Sequence, residues 1–354
     1  MKNENHTYQE EIYINYTLRL REILQTLPSF AKDFFRAIEP RTSAKTRISY
    51  AYDIRTFFHF LIECNPVYHN YTMDQFRPED LEKLDAMDIE EYLEYLKVYK
   101  NEDEKQIVNN ESGLARKMSA LRSFYLYYYK HQIIEKNPSL LVDMPKLHEK
   151  SIIRLDADEV SLLLDYVENC GSQLSGQKKV YYEKTRLRDI AILTLLLGTG
   201  IRVSECVGLD IQDLDFKNNG IHVVRKGGKE MVVYFGDEVR SALKNYLEND
   251  RLQIVTLPGN ENALFLSTQR KRMGVQAIEN MVKKYAKEVT PNKKITPHKL
   301  RSTYGTALYR ETGDIYLVAD VLGHNDVNTT KKHYAALDDD RRRLAASAVH
   351  LRKE

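Results

Sequence analysis

Apolar residues in the first 150 positions recur at helical spacing. Ile48, Tyr52, Phe57, Phe58 and Leu61 follow Thr42 and Ser43, either of which can cap a helix, and Pro66 lies beyond its end. Asp88 is the expected cap of a second helix carrying Tyr92, Leu93, Leu96 and Tyr99. A third helix is expected from about Ser112 to His131, with Leu114, Met118, Leu121, Tyr125 and Tyr128 on one stripe. No strand-like alternation competes with these. Asn137-Pro138, Met144-Pro145 and the polar run LHEKS then predict a linker.

A second unit opens at Asp156, which with Glu159 has the capping-box spacing ahead of an apolar run. A further helix is expected over about Lys184 to Leu197, stopping at Gly198-Thr199-Gly200. After Asp213 the period changes. Ile221–Arg225 and Met231–Phe235 alternate, and Lys226-Gly227-Gly228-Lys229 between them predicts a β-hairpin. Ala263–Leu266 is expected to be a strand, with helices completing the chain. The fold class is therefore mainly α with a small β-sheet, in two domains. No internal repeat or low-complexity tract interrupts it.

Composition narrows the class. The chain has 354 residues, 42% hydrophobic and 29% charged, as in soluble globular proteins. Cys64, Cys170 and Cys206 form no CxxC pair, which disfavours a disulfide scaffold or zinc finger and fits a reducing cytoplasm. The polar start MKNENHTYQEEIY lacks a signal-peptide core, and the apolar run Ile190–Leu197 is too short to span a bilayer. A cytoplasmic location is expected, with no membrane partner.

Net charge is only +2, but its distribution is uneven. Arg41, Lys45, Arg47 and Arg55 share their stretch with one acid, Asp53, while Arg116, Lys117, Arg122 and Lys130 share theirs with none. A strongly acidic stretch, Asp74 to Glu104, lies between them. Such a pattern suits either a nucleic-acid face or two ordinary solvated helix faces.

Four local patterns carry candidate chemistry. In GTGIRVSECVGL, Arg202 follows a glycine turn and could hold a phosphate bidentately, or pair with Glu205. In VVRKGGKEMVV, Lys226 and Lys229 flank a glycine turn, where exposed lysines also serve as solubility devices. In TPHKLRSTYGTALY, Thr296 caps, Pro297 begins a helix, and His298 and Arg301 share a face near an anion-favouring N-terminus; a core histidine and a surface arginine are the alternative. In LGHNDVNTTKKHYAAL, Gly323-His324 ends one helix and Tyr334 lies on the next.

Together, in this order, these residues resemble the tyrosine recombinase (phage-integrase) family: Arg202, Lys226, His298-x-x-Arg301, Gly323-His324 and Tyr334. The Arg-to-Lys interval is similar to that of the bacterial Xer subgroup and selects Lys226 over Lys229. The resemblance covers nearly all of the chain after about residue 20. It departs at one point: the interval from His324 to Tyr334 is ten, one longer than most members carry.

The resemblance implies a site-specific DNA recombinase without a cofactor or metal. Tyr334 would be the nucleophile, His298 its proton acceptor, Arg202, Arg301 and His324 the phosphate clamp and Lys226 the general acid, with Glu205 supporting the site. It implies an N-terminal extension at 1–25, a helical core-binding (SAM-like) domain at 26–140, a linker at 141–153, an α+β catalytic domain at 154–337 and a protomer-contact tail at 338–354. The two domains would close on double-stranded DNA as a C-shaped clamp, with Arg41, Lys45, Arg47, Arg116, Lys117 and Arg122 as DNA contacts. The working form would be a homotetramer on two sites. The length resembles the single-recombinase Xer type, which acts at a dif-like site in chromosome-dimer resolution with an FtsK-like septal DNA translocase. The integrase of a simple mobile element, a topoisomerase-like enzyme and a non-cutting DNA-binding protein are the alternatives.

Overall fold

The computed structural model describes residues 7–101, 103–148, 152–225, 228–324, 326 and 327. The chain divides at residues 150/151 into two compact units.

The first unit is built on helices α1 (Tyr8–Leu24), α2 (Ala31–Ala37), α3 (Ala44–Cys64), α4 (Ala86–Tyr95) and α5 (Glu111–Lys130). Ser43 caps α3, its hydroxyl accepting from the Thr46 amide at 3.2 Å. Asn110 caps α5 in the same way through the Gly113 amide at 3.0 Å. The cap of α4 is Asp85, not Asp88. Its carboxylate accepts from the Met87 amide at 2.7 Å, while Asp88 reaches back to the Asp85 amide at 2.8 Å. The expected cap is thus the reciprocal partner in a capping box.

Packing of α1 and α5 against α3 buries an aromatic core. Phe34, Phe57, Phe58, Phe76 and Phe124 are all nearly inaccessible, and so are Met118, Leu121, Tyr125 and Tyr128 of the expected α5 stripe. Rings meet edge to face, as at Phe58 and Phe76, whose centroids are 4.9 Å apart. Buried phenols retain partners: Tyr128 donates to the Phe30 carbonyl at 2.9 Å. The stretch expected as an N-terminal extension contributes to this core, because Leu20 and Ile23 of α1 lie within it. A hairpin of β1 (Val98–Lys100) and β2 (Gln106–Val108) interrupts the helices. Three-residue strands with both ends exposed show no alternation in the sequence.

The second unit begins with α6 (Ala157–Asn169), where the Asp156 amide donates to Glu159 at 2.8 Å as its spacing predicts. Helix α7 (Gly176–Thr199) starts well before the expected Lys184 and absorbs the polar segment QKKVYYEKT. Its apolar end is the centre of the unit: Ala191, Ile192, Leu193, Leu195 and Leu196 are buried. Strands β3 (Leu214–Asp215), β4 (Gly220–Val224) and β5 (Glu230–Tyr234) form an antiparallel sheet in that order, with Ile221 opposite Val233. The expected strand at Ala263–Leu266 is instead a buried segment with isolated bridges, Asp210 to Ala263 and Leu266 to Arg272.

The remaining helices are α8 (Val203–Gly208), α9 (Asp237–Asn249), α10 (Val275–Val289), α11 (Pro297–Thr312) and α12 (Ile315–Leu322). Helices α9 and α11 pack on α7, and α12 packs on α11. Among the described residues, no helix is long and apolar enough to cross a membrane.

Candidate active site

Two left-handed glycines shape the site. Gly200 ends α7 with φ +62°, and Gly323 ends α12 with the same φ. A side chain at Gly200 would run into the Tyr304 ring and Leu322 Cδ2, so glycine allows the ends of α7 and α12 to approach α11 closely.

Arg202 leaves the α7 turn and stands at the N-cap of α8. Its backbone amide donates to Glu205 Oε2 at 2.8 Å and its Nη1 to Glu205 Oε1 at 2.7 Å. Glu205 is buried. The ion pair anticipated as an alternative is therefore present, and it orients the guanidinium. Arg202 Nη2 then donates to the Gly323 carbonyl at 3.0 Å. Arg301, buried on α11, donates through Nη1 to the Gly200 carbonyl at 2.6 Å and through Nη2 to the Leu322 carbonyl. Arg202 and Arg301 therefore meet at the end of α12, although 99 positions separate them in sequence (301 − 202).

A third arginine, not singled out by the sequence, joins them. Arg225 follows β4, is buried, and donates to the Asp320 carbonyl at 3.3 Å and the Val321 carbonyl at 2.6 Å. Carbonyls in the last turn of a helix lack intrahelical partners and carry the negative end of its dipole. The carbonyls of Asp320, Val321 and Leu322 in α12 and of the capping Gly323 all accept from the three guanidiniums. Burial is the main influence lowering the Arg225 pKa; Glu205 opposes it and the charge of Arg202 adds to it. No periodicity distinguishes Arg225, because basic residues at hairpin ends ordinarily face water.

His324 follows the Gly323 turn, its amide donating to the Ala319 carbonyl at 2.9 Å, and its side chain is half-buried. His298 occupies the first turn of α11 and is exposed, one turn ahead of Arg301. Lys226 and Tyr334 lie outside the described residues, as does the 338–354 tail. Among the described residues, no group of His, Cys, Asp and Glu side chains is arranged to hold a metal ion. The chemical character of this cluster is a concentration of oriented guanidiniums at one helix terminus, one of them paired with a buried carboxylate, suited to an oxyanion such as a phosphodiester.

The six basic residues expected to contact DNA divide differently. Arg41 and Lys45 are exposed. Arg47 is buried and paired with Glu39 at 2.6 Å. Lys117 is buried, with Nζ 3.1 Å from Asp53, and Arg116 donates to the same carboxylate through both terminal nitrogens. Arg122 donates to the Ser139 carbonyl at 3.0 Å and to the Val142 carbonyl, holding the chain beyond α5. Arg47, Lys117 and Arg122 are therefore engaged with partners inside the first unit, whereas Arg41 and Lys45 stand exposed. A cleft of about 760 Å³ in this unit is lined by Tyr52, Arg55, His59, Tyr99, Arg116 and Lys117, among others.

Comparison with known proteins follows this division. The phage integrase family profile matches residues 153–341, and the phage integrase N-terminal SAM-like domain matches residues 31–132. The chain is 32% identical over 328 residues to the tyrosine recombinase XerC of Caldanaerobacter subterraneus subsp. tengcongensis, covering 91% of this chain and 86% of the relative. It is 29% identical over 349 residues to the tyrosine recombinase XerS of Streptococcus thermophilus, covering 92% and 96%. The crystal structure of the XerH site-specific recombinase bound to palindromic difH substrate, a post-cleavage complex, shares the fold with a TM-score of 0.65. That match has 18% identity and covers 98% of this chain and 91% of that chain.

Proposed function

The chain belongs to the phage integrase family, as a tyrosine recombinase of the Xer subgroup, and on that premise we propose that it resolves chromosome dimers at a dif-like site during cell division. The observation that carries the catalytic reading is the meeting of Arg202, Arg301 and the Gly323-His324 turn at one helix terminus.

In this reading Tyr334 Oη attacks the scissile phosphorus. The P–Oη bond forms, the bond to the 5′-oxygen breaks, and a 3′-phosphotyrosine remains beside a free 5′-hydroxyl. The phenol must lose its proton, since an ordinary tyrosine with pKa about 10 is neutral at physiological pH; His298 receives it. Negative charge gathering on the non-bridging oxygens is met by Arg202 and Arg301, with His324 as a further donor. Lys226 protonates the departing 5′-oxygen. Rejoining runs the same steps in reverse and needs no ATP, because the phosphodiester energy is kept in the covalent link.

The helical unit at 26–140 would grip the duplex through exposed residues such as Arg41 and Lys45. The working form would be four protomers on two sites, with the 338–354 tail docking on a neighbour and a septal DNA translocase as partner in the cytoplasm. The similarity to XerS over 92% of this chain supports the single-recombinase form of this reading.

Nuclease footprinting identifies the site, which is expected to be chromosomal. A nicked duplex carrying that site then traps the cut state. The wild-type chain is expected to form an SDS-resistant protein–DNA adduct, and Tyr334→Phe to bind the duplex without forming one. An adduct from Tyr334→Phe would remove Tyr334 from its role. A footprint confined to the ends of a mobile element would replace dimer resolution with element integration.

A further inference from the structure

We infer that Arg225 is a positioning residue for recombination, tying the end of β4 to the last turn of α12 so that His324 is held in place. The inference rests on the catalytic reading above and deepens it.

Arg225 is only 7% exposed, and both terminal nitrogens are engaged with the α12 carbonyls of Asp320 and Val321. A buried guanidinium with these commitments has little means of reaching a DNA phosphate. Its geometry suits holding. Gly323 has φ +62°, and a Cβ there would lie inside the van der Waals radius of Arg225 Nη1 and 2.9 Å from Arg225 Cδ. The glycine therefore does two things at once: it adopts the left-handed turn, and it leaves room for the guanidinium to lie across that turn. His324 is the next residue.

The arrangement has a cost. Arg225 Nε is buried without a hydrogen-bond partner. An apolar side chain of similar length would avoid that unsatisfied donor but leave the Asp320 and Val321 carbonyls without a charged donor, a loss of stability. Lysine supplies a single ammonium in place of the planar fork. What arginine adds at 225 is fixed geometry in the turn that precedes His324, and a displacement of about 1 Å at a reacting centre can reduce a rate about a hundredfold.

The test uses full-length chains and the nicked duplex carrying the footprinted site. It measures single-turnover adduct formation, duplex affinity and the thermal midpoint for Arg225→Met, Arg225→Lys, Gly323→Ala, His324→Ala and Arg225→Met with His324→Ala. Arg225→Met is expected to melt somewhat below the wild type, because two carbonyls lose a charged donor, and, when folded, to bind the duplex normally yet form adduct about a hundredfold more slowly. Arg225→Lys should fall between the two. Gly323→Ala should reproduce the defect with Arg225 still present, which covers the case in which Arg225→Met does not fold. If Arg225 acts through His324, the double variant should be no more than about threefold slower than His324→Ala alone, because coupled residues do not add.

Adduct formation at the wild-type rate by folded Arg225→Met overturns the inference. So does a double variant whose loss is the product of the two single losses; in that case the catalytic reading stands and Arg225 alone is reassigned. Wild-type cleavage by His324→Ala overturns both, and that single variant identifies the failure as one of the catalytic reading.

Discussion

Arg202 has partners of opposite kind. Nη1 faces a buried carboxylate, Glu205, and Nη2 faces a neutral carbonyl, that of Gly323. The sequence allowed a salt bridge or a phosphate contact, and the geometry makes these compatible. Its side chain is 34% exposed while that of Glu205 is 3% exposed, so the acid is the anchor and the guanidinium the part that can meet a ligand. Glu205 also accepts from the Arg202 amide, fixing both ends of the same residue. Glu205→Ala removes both constraints. Adduct formation on the nicked duplex should then fall by about tenfold to a hundredfold, with little change in duplex affinity. Glu205→Gln keeps an acceptor and should retain more activity than Glu205→Ala. An affinity loss as large as the rate loss would make Glu205 a folding residue only.

At the scale of elements, helix starts were legible where the signal is local. Ser43 and the Asp156/Glu159 pair cap as read, because a cap needs only residues within one turn. The shift from Asp88 to Asp85 is the same rule one turn out of register, since both acids participate in the box. The β1–β2 hairpin was not legible because its strands are too short to show a period. The order of the motif residues was also legible, and the structure brings Arg202, Arg301 and the Gly323-His324 turn together, while Lys226 and Tyr334 lie outside the described residues. Burial of Lys117 on α5 was not legible, nor was the pairing of the exposed Arg116 with the same buried acid. The run from Leu114 to Lys130 contains no acid, so Arg116 and Lys117 read as solvated; their partner, Asp53, arrives from α3, 63 and 64 positions away. This pairing is also the clearest structural commitment between the two helices. Asp53 is 2% exposed, and Lys117 is 6% exposed. Asp53→Ala strands a buried ammonium, and breaking such a pair costs about 3–5 kcal/mol. Urea denaturation of the full chain should show a loss of that order in the transition of the first unit. A loss below about 1 kcal/mol, the value of a surface pair, would mean that Lys117 escapes to water when Asp53 is removed.

At the scale of the whole molecule, charge is nearly balanced, with 53 lysines and arginines against 51 acids. A family member that grips a polyanion must therefore do so with local charge, and the number of basic residues in a stretch overstates what is available. Arg41 and Lys45 are exposed near the start of α3, whereas the guanidinium of Arg122 is committed to the Ser139 and Val142 carbonyls. Counterion release offers a way to count the difference, because each neutralised phosphate contributes about 0.9 to the slope of log affinity against log salt. Arg41→Gln with Lys45→Gln is expected to flatten that slope by about 2 if both side chains meet phosphates. Arg122→Gln is expected to leave the slope unchanged and lower the stability of the first unit, because two carbonyls lose a charged donor. Duplex affinity measured by anisotropy across a salt series separates these outcomes. A flattened slope for Arg122→Gln would mean that this side chain leaves its carbonyls when DNA binds, and an unchanged slope for the double variant would move the phosphate contacts to other residues, with Arg55 and Arg116 of the adjoining cleft first in line.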